Sequence, residues 1–160
     1  MIKLIPLFII VFTAFLFATE VSKNENKSLT LIRIDKKINV DGIVDDVWNL
    51  ADSTTNFFQL EPYFNQPTSV KTVAKVLTTE EAIYCLMICY DDRNYIQANA
   101  GMQDGFTGDI ASVMLDTFGD KQTAYKFAMN ASGVKSDSRM LDDARNRDYS
   151  WDGIWDGASK

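Results

Sequence analysis

The stretch that decides the fold is Val70-Lys71-Thr72-Val73-Ala74-Lys75-Val76-Leu77, then Thr78-Thr79-Glu80-Glu81, then Ala82-Ile83-Tyr84-Cys85-Leu86-Met87-Ile88-Cys89-Tyr90. In its first run Val70, Thr72, Ala74 and Val76 oppose Lys71, Val73, Lys75 and Leu77, the period of a strand. The second run, Ile83–Tyr90, is aliphatic and aromatic throughout, too short and too β-prone for a helix and apolar enough for a buried strand. The polar link between them has hairpin length. Both cysteines of the chain lie in the second run. Four residues along a strand span about 13 Å, well past the roughly 7 Å that a disulfide tolerates between Cα atoms. Cys85 and Cys89 are therefore expected to stay unpaired and to share one face as small core residues beside a core Trp48. No further cysteine and no histidine completes a metal or redox site with them.

The same rhythm extends outward. Strands are expected at Leu29–Ile34, Ile110–Leu115, Thr123–Met129 and Val134–Arg139. Ala111, Val113 and Leu115 oppose Ile110, Ser112 and Met114, while Tyr125, Phe127 and Met129 oppose Ala124, Lys126 and Ala128. One short helix interrupts the pattern. Val44, Val47, Trp48 and Ala51 recur at i, i+3, i+4 and i+7, with Asp45 and Asp46 in the first turn, where the helix dipole favours acids. Several short strands at near-regular spacing predict an all-β sandwich.

Composition narrows the function. The 160 residues carry 16 basic and 22 acidic side chains, a net charge of −6, which argues against a nucleic-acid surface. There is no histidine. A Ser-His-Asp or Cys-His apparatus, or a histidine-ligated zinc or iron, cannot be built from this chain. The N-terminus differs from the rest: Lys3 precedes an apolar run, Leu4 to Phe17, which ends at Ala18 before the polar Thr19-Glu20. That is the pattern of a secretory signal peptide over 1–18, too short for a membrane span. A polar lead-in, 19–28, then precedes a domain over 29–160, expected in the periplasm, at the outer membrane or outside the cell.

Ile38-Asn39-Val40-Asp41-Gly42-Ile43-Val44-Asp45-Asp46-Val47-Trp48 resembles the opening of family 9 carbohydrate-binding modules, a strand entering Asp-Gly and then Asp and Trp on one helical turn. Val73 to Asp91 resembles the module's paired strands. Gly108-Asp109 with Val113-Met114-Leu115-Asp116, Ala124 to Gly133, and Trp151-Asp152-Gly153-Ile154-Trp155 follow in the family's order. The resemblance implies an immunoglobulin-like antiparallel β-sandwich that binds a glycan or oligosaccharide, usually its end, between aromatic side chains. The C–H bonds of a sugar ring pack on such a face while polar groups orient its hydroxyls.

Residue by residue, the family's platform tryptophan falls on Phe106, three positions before Asp109. Its polar contact falls on Ser112 and its strand arginine on Ala128. Small residues at 112, 124 and 128 leave either an open shelf or a surface for another segment to cover. Trp151 and Trp155 have one parity and are further stacking candidates. The family continues with strands past Trp155, so the resemblance implies that the C-terminal strands are missing and that the chain is a fragment. Its subtype stands at the N-terminus of bacterial outer-membrane barrel proteins, implying association with the outer membrane through sequence beyond Lys160.

The acids do not spell a metal loop. Asp91-Asp92, Asp104, Asp109, Asp116, Asp120 and Asp142-Asp143 through Asp148 lack the EF-hand spacing. They read as solvated loop acids, although a structural calcium bridging two loops occurs in this family. No cofactor and no catalysis are expected of the segment itself. Three roles compete: an exported glycan-binding module serving carbohydrate catabolism, a structural cap on an outer-membrane barrel, and part of a glycoside hydrolase.

Overall fold

The computed structural model describes residues 28–55, 57–105 and 107–160. The leader over 1–18, nearly all of the lead-in and Phe106 lie outside the described residues. The chain forms two four-stranded sheets, the two layers of an all-β sandwich. In the first, β3 (Lys71–Thr78) is central and pairs along its whole length with β4 (Ile83–Tyr90). The other edge of β3 takes two short strands, β1 (Ile32–Arg33) and β2 (Ser53–Thr54). The second sheet is a meander of β5 (Ile110–Leu115), β6 (Ala124–Asn130), β7 (Lys135–Leu141) and β8 (Asn146–Asp148).

Sequence reading missed β2 and β8, which are too short and too polar to show a period. It also expected an antiparallel sandwich throughout. The β1–β3 pair is instead parallel, with Ile32 opposite Leu77. A long connection through the helical turn lets β1 lie alongside β3 in that sense.

The expected helix is a single 3-10 turn, Asp46–Leu50. Five residues are too few to nucleate an α-helix, and i to i+3 bonding is the usual form of so short a piece. Trp48 and Ala51, three residues apart, are buried, whereas Val44 is 52% exposed. The apolar stripe is therefore narrower than the spacing implied. Trp48 packs with Ile34, Ile38, Ala51 and Leu77 in the core of the first sheet. Lys75 Nζ, on the same face of β3 as Leu77, donates to the Trp48 carbonyl at 2.8 Å.

The cysteines are not in that core. Leu77 stands opposite Tyr84 in the β3–β4 register, so Tyr84 and Leu86 carry the inward parity and pack against the cluster. Cys85 and Cys89 have the other parity and are exposed. A run apolar at every position does not reveal which parity turns inward, and a one-residue choice moves every side chain to the other face. Both thiols are free. Neighbouring side chains still desolvate Cys85 enough to raise its pKa, which keeps it a poor nucleophile. Because the ladder is regular across this segment, oxidation is expected to leave the pair unjoined. Intact-mass analysis after mild oxidation checks this, and a Cys85–Cys89 bond would contradict the strand.

Loop carboxylates build the turns. Asp116 accepts from the amides of Phe118, Gly119 and Lys121, and Asp120 from those of Gln122 and Thr123. These bonds favour the charged form, so the Asp120 pKa lies below its ordinary value, with the Gln122 amide the largest cause. Among the described residues no group of three or more metal-ligating side chains converges.

Candidate functional site

The two faces of the β5–β8 sheet have different fates. Register places Tyr125, Phe127 and Met129 on one face with Lys135, Asp137 and Arg139. The segment 151–157 runs extended across this face. Its repeated Trp-Asp-Gly explains how. Trp151 packs on Tyr125 at 4.7 Å between ring centroids and edge-on against Phe127 at 5.8 Å. Trp155 meets Phe127 edge-on at 5.6 Å. Each tryptophan folds back over the glycine two residues later. A Cβ at Gly153 would sit 2.6 Å from the Trp151 ring, and one at Gly157 3.1 Å from the Trp155 ring.

The buried carboxylate of Asp137, 3% exposed, anchors the segment. Its Oδ2 accepts from Trp155 Nε1 at 2.7 Å and from the Gly153 amide at 3.3 Å. Lys135 Nζ lies over the Trp155 ring and donates to the Trp155 carbonyl at 2.9 Å. Further along, the Ser159 hydroxyl donates to the Ala131 carbonyl, and the chain end passes against Gly42. Both tryptophans are thus engaged with the protein's own sheet.

The opposite face bears the small residues. Ser112 stands opposite Ala128, and Ala128 opposite Ser136. An open groove of about 150 Å³ lies here, lined by Asp104, Ile110, Lys126, Ala128, Ser136, Ser138, Arg147 and Tyr149. Tyr149, just past β8, is 59% exposed and is an aromatic side chain of its wall.

Over the Asp104 side of this groove lies the loop 99–107, held at both ends and in the middle. Asn130, 1% exposed, donates through Nδ2 to the carbonyls of Asn99 at 2.7 Å and Thr107 at 3.4 Å. Its Oδ1 accepts from the amides of Ser132 and Val134. At the tip, Asp104 imitates a strand. Its amide donates to the Lys135 carbonyl, and its Oδ1 accepts from the Asp137 amide. These are edge positions of β7 that the short β8 leaves unpaired.

The base of the loop is tight. Gly108 has φ +94°, and a Cβ there would lie 2.2 Å from the Gln97 carbonyl oxygen, so only glycine fits. Asp109 closes the base: its Oδ2 accepts from the Gln97 amide at 2.9 Å, and its own amide donates to the Gln97 carbonyl.

The structure therefore separates the sequence-derived site residues. Asp109 sits at the foot of the loop that carries Phe106, whereas Trp151 and Trp155 lie on the other face. Sequence reading does not single out Asn130, Ser136, Ser138, Arg147 and Tyr149 as site residues, and it reads Asp104 only as a solvated loop acid. The available signal was Asp104-Gly105 and Gly108-Asp109 bracketing Phe106, which marks a folded loop between two polar turns.

A search of curated proteins finds no match, nor does a search of solved structures. A family model described as carbohydrate family 9 binding domain-like matches residues 40–153. That span contains the helical turn, every strand but β1, the loop 99–107 and the groove, and a domain of this kind is non-catalytic in itself. The chain belongs to the carbohydrate family 9 binding domain-like family.

Proposed function

We propose that the chain is an exported glycan-binding module whose site is the groove on the β5–β8 sheet beside the loop 99–107. One observation carries this reading. Ala128, where the strand arginine of family 9 modules falls, lines the groove, and the loop that bears Phe106 enters its wall at Asp104. The groove has room for one terminal ring rather than a length of chain. Phe106 is its stacking platform, and the hydroxyls of Ser136, Ser138 and Tyr149 are its orienting groups. The host protein is thereby held on glycans that other parts of it or its partners degrade.

Calorimetric titration with oligosaccharides tests the proposal. Weak binding is expected, and Phe106→Ala is expected to remove about 0.5–1.5 kcal/mol, the worth of a favourable ring contact. Wild-type protein that binds no sugar would contradict the proposal and favour a structural cap on a larger assembly.

Export rests on Lys3, the apolar run to Phe17 and Ala18. Edman sequencing of protein recovered outside the cytoplasm is expected to begin near Thr19. Recovered material that still begins at Met1 would oppose cleavage.

A further inference from the structure

Resting on the glycan-binding reading, we propose that the groove selects an anionic sugar, one carrying a carboxylate or a sulfate ester. The argument is one of donors and acceptors. A neutral sugar ring offers hydroxyls, which need acceptors as well as donors from the protein. Two of the groove's residues, Lys126 and Arg147, end in heads that only donate. Among the described residues its one carboxylate is Asp104, whose Oδ1 accepts from the Asp137 amide. Among the described residues neither Lys126 nor Arg147 forms an ion pair.

Their placement suits a single anion. Lys126 stands opposite Ser138 on β7, and Arg147 opposite Met140, so the two lie on either side of β7 with the same parity. Two strand spacings and a two-residue offset along β7 separate their backbones by about 12 Å, a gap that a long side chain from each side can reach into. Ser136 and Ser138 supply hydroxyls between them.

The charge of the whole molecule sharpens the point. In a chain of net charge −6, two cations that form no ion pair among the described residues share one groove with a single carboxylate, Asp104. Covering them with a neutral ring would strip water from both without replacing it by countercharge, which is costly. A carboxylate or sulfate supplies that charge, with Arg147 able to bind it through two parallel hydrogen bonds.

The test is calorimetric titration of the full domain with three oligosaccharides of equal length: neutral, uronic-acid and sulfated. Either anionic ligand is expected to bind about tenfold more tightly than the neutral one at low salt. The gap is expected to narrow as salt rises and to vanish in Lys126→Gln/Arg147→Gln, with circular dichroism confirming that the variant folds. Whichever anionic ligand binds better identifies the group. Equal or tighter binding of the neutral sugar would overturn this proposal and leave the glycan-binding reading standing. A preference that survives the double substitution would overturn it too. Failure of all three ligands would overturn both.

Discussion

Asn130→Ala is expected to cost about 3–5 kcal/mol of stability, the largest effect of any single polar substitution in the domain. The side chain is 1% exposed and satisfies four backbone groups: the carbonyls of Asn99 and Thr107 and the amides of Ser132 and Val134. Alanine removes all four partners at once, and a buried polar group left unpaired costs about 1–3 kcal/mol. Water entering the vacated space would rescue some of them, so the total falls short of a simple sum. The urea midpoint is expected to drop by roughly 2 M.

Asn130→Asp separates the two halves of the network. The introduced carboxyl still accepts from Ser132 and Val134, but it faces the two carbonyls that Nδ2 had satisfied. Those carbonyls disfavour its charged form, so destabilisation is expected to grow as pH rises through the carboxylate range. An Asn130→Ala midpoint equal to wild type would show that the loop ends are held by something else.

Asp137→Ala is expected to cost about 3 kcal/mol and to release the C-terminal segment. Trp155 Nε1 and the Gly153 amide would lose their acceptor inside a packed face, and the segment has no ladder of its own to hold it. Asp137→Asn keeps an acceptor oxygen and is expected to cost less, as breaking a charged hydrogen bond outweighs weakening it. Two signals report the release: a red shift of tryptophan fluorescence, and faster proteolysis beyond Ser150. If Asp137→Ala is as resistant to protease as wild type, the ring contacts to Tyr125 and Phe127 and the bonds from Lys135 and Ser159 hold the segment without it.

The legible parts of the fold were those where hydrophobic period and local chemistry agree. The β4 and β5 bounds could be read directly because each is an unbroken apolar or alternating run between polar turns. Parity was less accessible. Nothing in Ile83–Tyr90 marks one alternate set for the core, and only the register with Leu77 decides that Tyr84 and Leu86 turn inward while Cys85 and Cys89 turn out.

The site was harder still. In Lys135-Ser136-Asp137-Ser138-Arg139 every residue is polar, yet Asp137 and Ser138 are both nearly fully buried, one on each face. Asp137 is buried because the tryptophan-bearing segment covers it, with Gly153 and Trp155 arriving from 16 and 18 positions downstream. Ser138 lies at the floor of the groove, between Lys126 of β6 and the β8 side of the sheet. Neither partner is visible from local sequence. Likewise, Trp151 and Trp155 have the composition of a sugar platform, and only the placement of Tyr125 and Phe127 beneath them shows what occupies their rings.

The most direct test of the central claim is a nuclear magnetic resonance titration of labelled protein with the oligosaccharide that binds best, read face by face. The account predicts shift changes at the amides of Ala128, Ser136, Ser138, Arg147 and Tyr149, with the indole N–H of Trp155 and the amide of Gly153 unmoved. Perturbation concentrated at the Trp151 and Trp155 indoles, with the groove amides silent, would contradict it and place the sugar on the opposite face of the sheet.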